Sequence, residues 1–144
     1  MLERAWIAAH VPHHGTMCLL HRVELWDPTQ VRCLAISHRD LSNPLRARGR
    51  LGAACGIEYA AQAMAIHGAL CAGNDPSAAT RPGMLASARG VTIAVDRLDD
   101  IAADLTIIAT QQAADSRAIA YAFEVLADHR LLMSGRATVM LGSA

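Results

Sequence analysis

Apolar and polar positions change their period once along this chain. From Leu51 to Ala72 the residues are apolar nearly all round, rich in alanine and free of proline, with Glu58, Gln62 and His67 as the polar interruptions. Such a segment predicts a helix enclosed by other structure rather than one lying on a surface. Its length approaches that of a membrane span. A mid-span carboxylate, however, costs about 2.5–3.5 kcal/mol, and Gly52, Gly56 and Gly68 bring no hydrophobic compensation, so the segment reads as the helix of a soluble domain. Glu58 and Gln62, four apart, share one face. After the loop CAGNDPSAATRPG the period becomes two. Val91, Ile93 and Val95 alternate with Thr92, Ala94 and Asp96; Ile119, Tyr121, Phe123 and Val125 with Ala120, Ala122 and Glu124; Ala137, Val139 and Leu141 with Arg136, Thr138 and Met140. Each run predicts a half-buried strand, and the polar breaks at Ala114–Arg117 and Ala127–Arg130 have hairpin length. Two more strands, Leu19–Trp26 and Gln30–Ser37, are expected on either side of a turn at Asp27–Pro28. The order strand, strand, helix, four strands predicts an α+β domain: an antiparallel sheet of about six strands, its C-terminal half a meander, around one long central helix.

Composition narrows the chemistry. With 144 residues, 53% of them hydrophobic and 18% charged, residues 1–144 are expected to form one compact domain. The 13 basic residues balance the 13 acidic ones, so no net field draws the chain to nucleic acid or to an anionic membrane. Every base is an arginine, which excludes Schiff-base chemistry and other lysine mechanisms. The 29 alanines and single phenylalanine imply elements that approach closely. Cys18, Cys33, Cys55 and Cys71 form no CxxC pair, and MLERAWIAAH has no signal-peptide pattern, so a reduced, cytoplasmic protein is expected.

Helix wrapped by sheet is the hot-dog fold, and three stretches carry a resemblance to a family that uses it. VPHHGTMCLLHRV, IEYAAQ and GVTIAVDRL resemble the N-terminal Pro-His segment, the helical Glu-x-x-x-Gln and the start of the last strands in the 3-hydroxyacyl-[acyl-carrier-protein] dehydratases of fatty acid synthesis. The stretch ISHRDLSNPLRARGRLGAACGIEYAAQ aligns with that family's loop and central helix without a gap. NPL followed by GIEYAAQAMAIHGAL is most similar to the divergent branch found with aryl-polyene-type biosynthetic clusters. The chain departs from the family at one point. The family's catalytic histidine precedes the helical carboxylate by fourteen residues, and that position here is Pro44, preceded by Asn43.

Glu58 is the first catalytic candidate. A carboxylic acid in an apolar helix is desolvated, which favours the protonated form that can donate to a departing hydroxyl, and the resemblance implies that role. The alternative is a glutamate satisfied by arginine or backbone near an exposed helix end. Gln62 would orient Glu58 or a water, or serve as an ordinary core amide. For the missing base the first candidate is His13, in the Pro-His segment, and the second His38, in the loop before the helix; the competing reading of each is a hydrogen-bonded structural or surface histidine. Asn43, Gly52, Ala53 and Gln62 are the expected substrate-binding residues. The first N–H groups of the helix, at Gly52 and Ala53, suit a thioester carbonyl oxygen, and Ala53 matches the family's carbonyl-binding glycine. Arg46, Arg48 and Arg50 make a basic patch suited to the phosphate of phosphopantetheine and to an acidic carrier protein, or simply a solvated loop. His10, His13 and His14 lack further ligands nearby, so no metal is expected.

The resemblance implies dehydration of a 3-hydroxyacyl thioester on acyl carrier protein to the trans-2-enoyl thioester, without metal or redox cofactor. It also implies a homodimer, or a heterodimer with another hot-dog subunit. Two rival readings keep the fold: a thioesterase in which Glu58 activates water, and a non-catalytic subunit that supports a partner dehydratase.

Overall fold

The computed structural model describes residues 1–11, 15–73 and 83–142. Its elements are β1 (Leu2–Glu3), α1 (Arg4–His10), β2 (Arg22–Trp26), β3 (Gln30–Ala35), α2 (Gly56–Ala72), β4 (Gly83–Ile93), β5 (Leu105–Ala114), β6 (Ala118–Ala127) and β7 (Arg130–Leu141). Single 3-10 turns lie at Gly15–Met17, Ser37–Arg39 and Ala53–Cys55. All seven strands join one sheet in the order β1-β2-β3-β5-β6-β7-β4, with every pairing antiparallel.

The sheet wraps α2, which packs chiefly on β3, β5 and β6. Tyr59, Ala60, Gln62, Ala63, Met64, Ile66, His67 and Leu70 are buried, and no residue of Gly56–Leu70 is exposed, as an apolar helix without a polar face requires. Facing strands supply the alternate residues Leu105, Ile107 and Ala109, then Tyr121, Phe123 and Val125. Small residues set the separation: a Cβ added at Gly56 would lie 3.2 Å from Sδ and Cε of Met133. This is the hot-dog arrangement, and none of its described helices is long and apolar enough to cross a membrane.

The turns form where polar residues can replace strand bonds. Asp27 Oδ1 accepts from Thr29 N at 2.8 Å and Gln30 N at 3.0 Å, closing the β2–β3 hairpin. Asp115 Oδ1 does the same for Arg117 N and Ala118 N between β5 and β6. Asp128 and His129 take φ of 48° and 64° in the two-residue turn before β7, a left-handed pair matched to sheet twist.

Four features differ from the sequence expectation. The meander is β5-β6-β7 only; β4 pairs with β7 at the far edge, because its long connection to β5 permits a crossover where a hairpin could not form. That strand starts at Gly83 and ends at Ile93, two bulges having disguised its alternation, while Val95 and Asp96 lie beyond it. Helix α2 starts at Gly56 behind a 3-10 turn rather than near Gly52, and the N-terminal segment contributes α1 and the two-residue β1.

Candidate functional site

The helix start is tied to the loop before β5. Gly52 forms an isolated bridge with Arg97, Ala53 N donates to Asp96 O at 3.0 Å, and Leu98 N donates to Leu51 O at 2.8 Å. Asp99 locks this junction: Oδ1 accepts from Leu51 N at 2.8 Å and from Arg97 Nε at 3.0 Å, and Oδ2 pairs with Arg97 Nη2 at 2.5 Å. The Arg97 guanidinium, with the Leu51 amide, holds the Asp99 carboxyl well below the ordinary carboxylate range. Of the two N–H groups expected to receive a thioester oxygen, that of Ala53 is therefore engaged by Asp96. Gly52 is half-buried, and a Cβ there would meet nothing within 4 Å.

Glu58 lies in the first turn of α2, half-buried rather than enclosed. The residues around it on the helix build a polar frame. Gln62, fully buried, accepts from Leu19 N at 2.9 Å through Oε1 and donates Nε2 to Met17 O at 2.7 Å. It clamps the stretch just after the Pro-His segment. Tyr59 OH donates to Ser37 Oγ at 2.8 Å and accepts from Asn43 Nδ2 at 3.0 Å, while Ser37 Oγ donates to Leu19 O at 2.7 Å. Asn43 Nδ2 also donates to Ser37 O, and its Oδ1 accepts from Leu45 N, so the polar side-chain atoms of Asn43 hold the loop together and tie it to the helix. Pro44, beside it, is exposed and has no group that could take a proton.

The histidines separate. His13 falls outside the described residues. His38 has 0% exposure; its Nε2 donates to Ile101 O at 3.1 Å and Ala103 O at 2.9 Å, which leaves the lone pair on Nδ1, buried without a hydrogen-bond partner. Burial lowers its pKa. Ile101 and Ala103, whose carbonyls hold His38, are among the residues that line a 790 Å³ cleft together with Asp96, Arg97, Asp128 and Arg130. The sequence reading did not single out His67, whose Nε2 donates to Asp27 O at 3.0 Å and whose Nδ1 accepts from Tyr121 OH at 2.8 Å. It too is pushed down by burial.

The three patch arginines have different positions. Arg46 is turned inward: Nε donates to Asp40 O at 2.9 Å, Nη1 to Gly49 O at 3.3 Å and Nη2 to His38 O at 3.4 Å, with Asp99 Oδ2 at 3.9 Å. Arg48 and Gly49, at φ of 54° and 78°, form a tight exposed turn between Ala47 and Arg50. Arg50 is exposed and its Nη2 reaches Asp96 O at 3.3 Å, on the rim of the cleft. Among the described residues no group of three or more His, Cys, Asp or Glu is placed to hold a metal ion. His10 instead stacks on Trp6 at 4.0 Å and contacts its carbonyl.

The ApeP-like family model, described as ApeP dehydratase, matches residues 5–143. The chain belongs to the ApeP-like dehydratase family. That is the aryl-polyene branch of the hot-dog dehydratases anticipated from the helical motif. Among solved structures the chain is similar to the ApeI:P dehydratase heterocomplex of Xenorhabdus doucetiae, with TM-score 0.82 and 23% identity over 95% of this chain and 91% of that one. It also resembles a thioesterase family protein of Silicibacter pomeroyi, with TM-score 0.69 and 13% identity over 98% and 96%. A mutant of thioesterase PA1618 from Pseudomonas aeruginosa gives TM-score 0.62 and 11% identity over 84% and 80%. No curated protein matches the chain. At these identities the structural likenesses speak for the fold, which dehydratases and thioesterases share.

Proposed function

We propose that this ApeP-like protein dehydrates 3-hydroxyacyl thioesters carried on acyl carrier protein, working as one subunit of a paired hot-dog assembly. The observation that carries the reading is Glu58: a carboxylic acid on the first turn of the central helix, half-buried, in a chain of a dehydratase family. Glu58 delivers a proton to the departing 3-hydroxyl, and a histidine removes the α-proton. His13 is the favoured base, since the ring of His38 is enclosed and bonded through Nε2 to two carbonyls. Gly52, just before the 3-10 turn that leads into the helix, orients the thioester oxygen, and Gln62 acts by fixing the backbone at Met17 and Leu19. Arg48 and Arg50 meet the phosphopantetheine phosphate or the carrier surface.

Pairing with a second hot-dog subunit is supported by the heterocomplex formed by the similar ApeI:P proteins and by β4, an edge strand whose residues are mostly exposed on both faces. A reading in which this chain supports a partner's chemistry has its own observation, Pro44 at the family's histidine position. One assay separates the readings. A 3-hydroxyacyl thioester on carrier protein is given to the chain alone and then to the chain with its partner. Dehydration produces an absorbing enoyl thioester with no free thiol; thiol release would mark a thioesterase. Turnover that needs only the partner's carboxylate and histidine would assign the chemistry to the partner.

A further inference from the structure

Among the described residues β4 ends the sheet, and apart from its two bulges its free edge carries little of the usual protection. GMLASARGVTI contains no proline, no acid and, apart from Arg89, no charge. Its side facing α2 carries Leu85, Ala88 and Ile93, by their pairing with the buried side of β7, and Ile93 remains 44% exposed. The opposite side carries Met84, 74% exposed, with Ser87, Arg89 and Thr92. Such an edge is built to receive a strand.

The outer side also indicates which strand. Arg89 is directly opposite Arg136 of β7, which is directly opposite Ala122 of β6. Like charges at facing positions repel. Both arginines are exposed, and no ion pair among the described residues involves either one. They line a 640 Å³ hollow with Gly90, Ala122, Glu124 and Ser134, and Glu124 is its one carboxylate. If two copies of this chain paired antiparallel about the middle of β4, near Ala88, each Arg89 would come diagonal to its copy on the same face, about 7–8 Å away. Four guanidiniums would then gather around the axis.

We infer that the Arg89–Arg136 pair selects against self-pairing and for a different hot-dog subunit whose edge strand places a carboxylate over this hollow. The inference rests on the reading that β4 is the subunit-pairing edge, and adds what makes the pairing unlike-with-unlike.

The test uses the full chain and its Arg89→Glu/Arg136→Glu variant, which serves as an acidic surrogate partner. Dissociation constants are measured by sedimentation for each protein alone and for the mixture, with hydrogen exchange of β4 amides reporting where contact occurs. The expected result is a mixed dimer at least about tenfold tighter than either self-association at about 0.1 M salt. That gap should close at about 1 M salt, where the screening length falls from about 10 Å to about 3 Å. Equal constants for all three combinations, with β4 protected in each, would overturn the charge selection and leave the pairing edge standing. An absence of β4 protection in every combination would overturn both.

Discussion

His38 and His67 are carried into the interior as neutral rings, each with Nε2 donating to backbone carbonyls. Burial lowers both pKa values, so the unfolded chain binds protons more readily than the folded one. Their contribution to stability is complete above the unfolded value near 6.5 and is lost as pH falls toward the folded values. Denaturant midpoints should therefore fall between pH 7.5 and pH 5, and His67→Gln should flatten the slope; identical midpoints across that range would exclude the effect. Catalysis should divide the histidines differently. His13→Ala is expected to lower turnover by about 10²–10⁴ without loss of stability, the usual size of a general-base contribution. His38→Ala should instead destabilise the fold, stripping a donor from Ile101 O and Ala103 O. Unchanged turnover for His13→Ala would remove it as the base. Glu58 stands out in the sequence because a carboxylate in an apolar helix conflicts with its surroundings, and the structure has it half-buried in the first turn of α2. Nothing in the sequence says that Asn43 spends its polar atoms on Ser37, Leu45 and Tyr59, since those partners meet only after the chain folds.

Among the elements, α2 was the most readable, because composition alone requires cover on every side. The 3-10 turn ahead of it was not, being set by the distant Asp96, Asp99 and Leu98. β4 was half-hidden because its bulges break the period of two, and α1 was missed because seven residues with one fully buried side chain leave little periodicity to read. Gln62 holds the approach to the site through two backbone groups. Gln62→Leu keeps the volume yet leaves Met17 O and Leu19 N unpaired, so unfolding should become easier by about 2–4 kcal/mol in urea titration; a change near zero would mean that water replaces the clamp. The arginine loop should also divide. Arg46→Ser is expected to lower stability, since its guanidinium spans Asp40, His38 and Gly49. Arg48→Ser with Arg50→Ser should leave stability intact, weaken carrier-protein binding and flatten its salt dependence. Affinity unchanged across a salt series would assign Arg48 and Arg50 to solubility.

Among the described residues one sheet wraps α2 and leaves the β4 end open, with Ala88 and Ile93 exposed on the side that faces α2. The fold was legible from pattern because a wholly apolar helix flanked by alternating strands has few ways to be enclosed. The exposed edge was not, since alternation identifies a strand without saying whether its second neighbour belongs to the same chain. If this chain contributes the acid of a dehydration, the reaction should fail without the Glu58 carboxyl. The most direct measurement is enoyl-thioester formation from a 3-hydroxyacyl carrier protein by the assembled protein, with and without Glu58→Gln, its assembly and melting temperature checked alongside. The expected loss is about 10²–10⁴ with the assembly intact; full activity of Glu58→Gln would contradict the acid role.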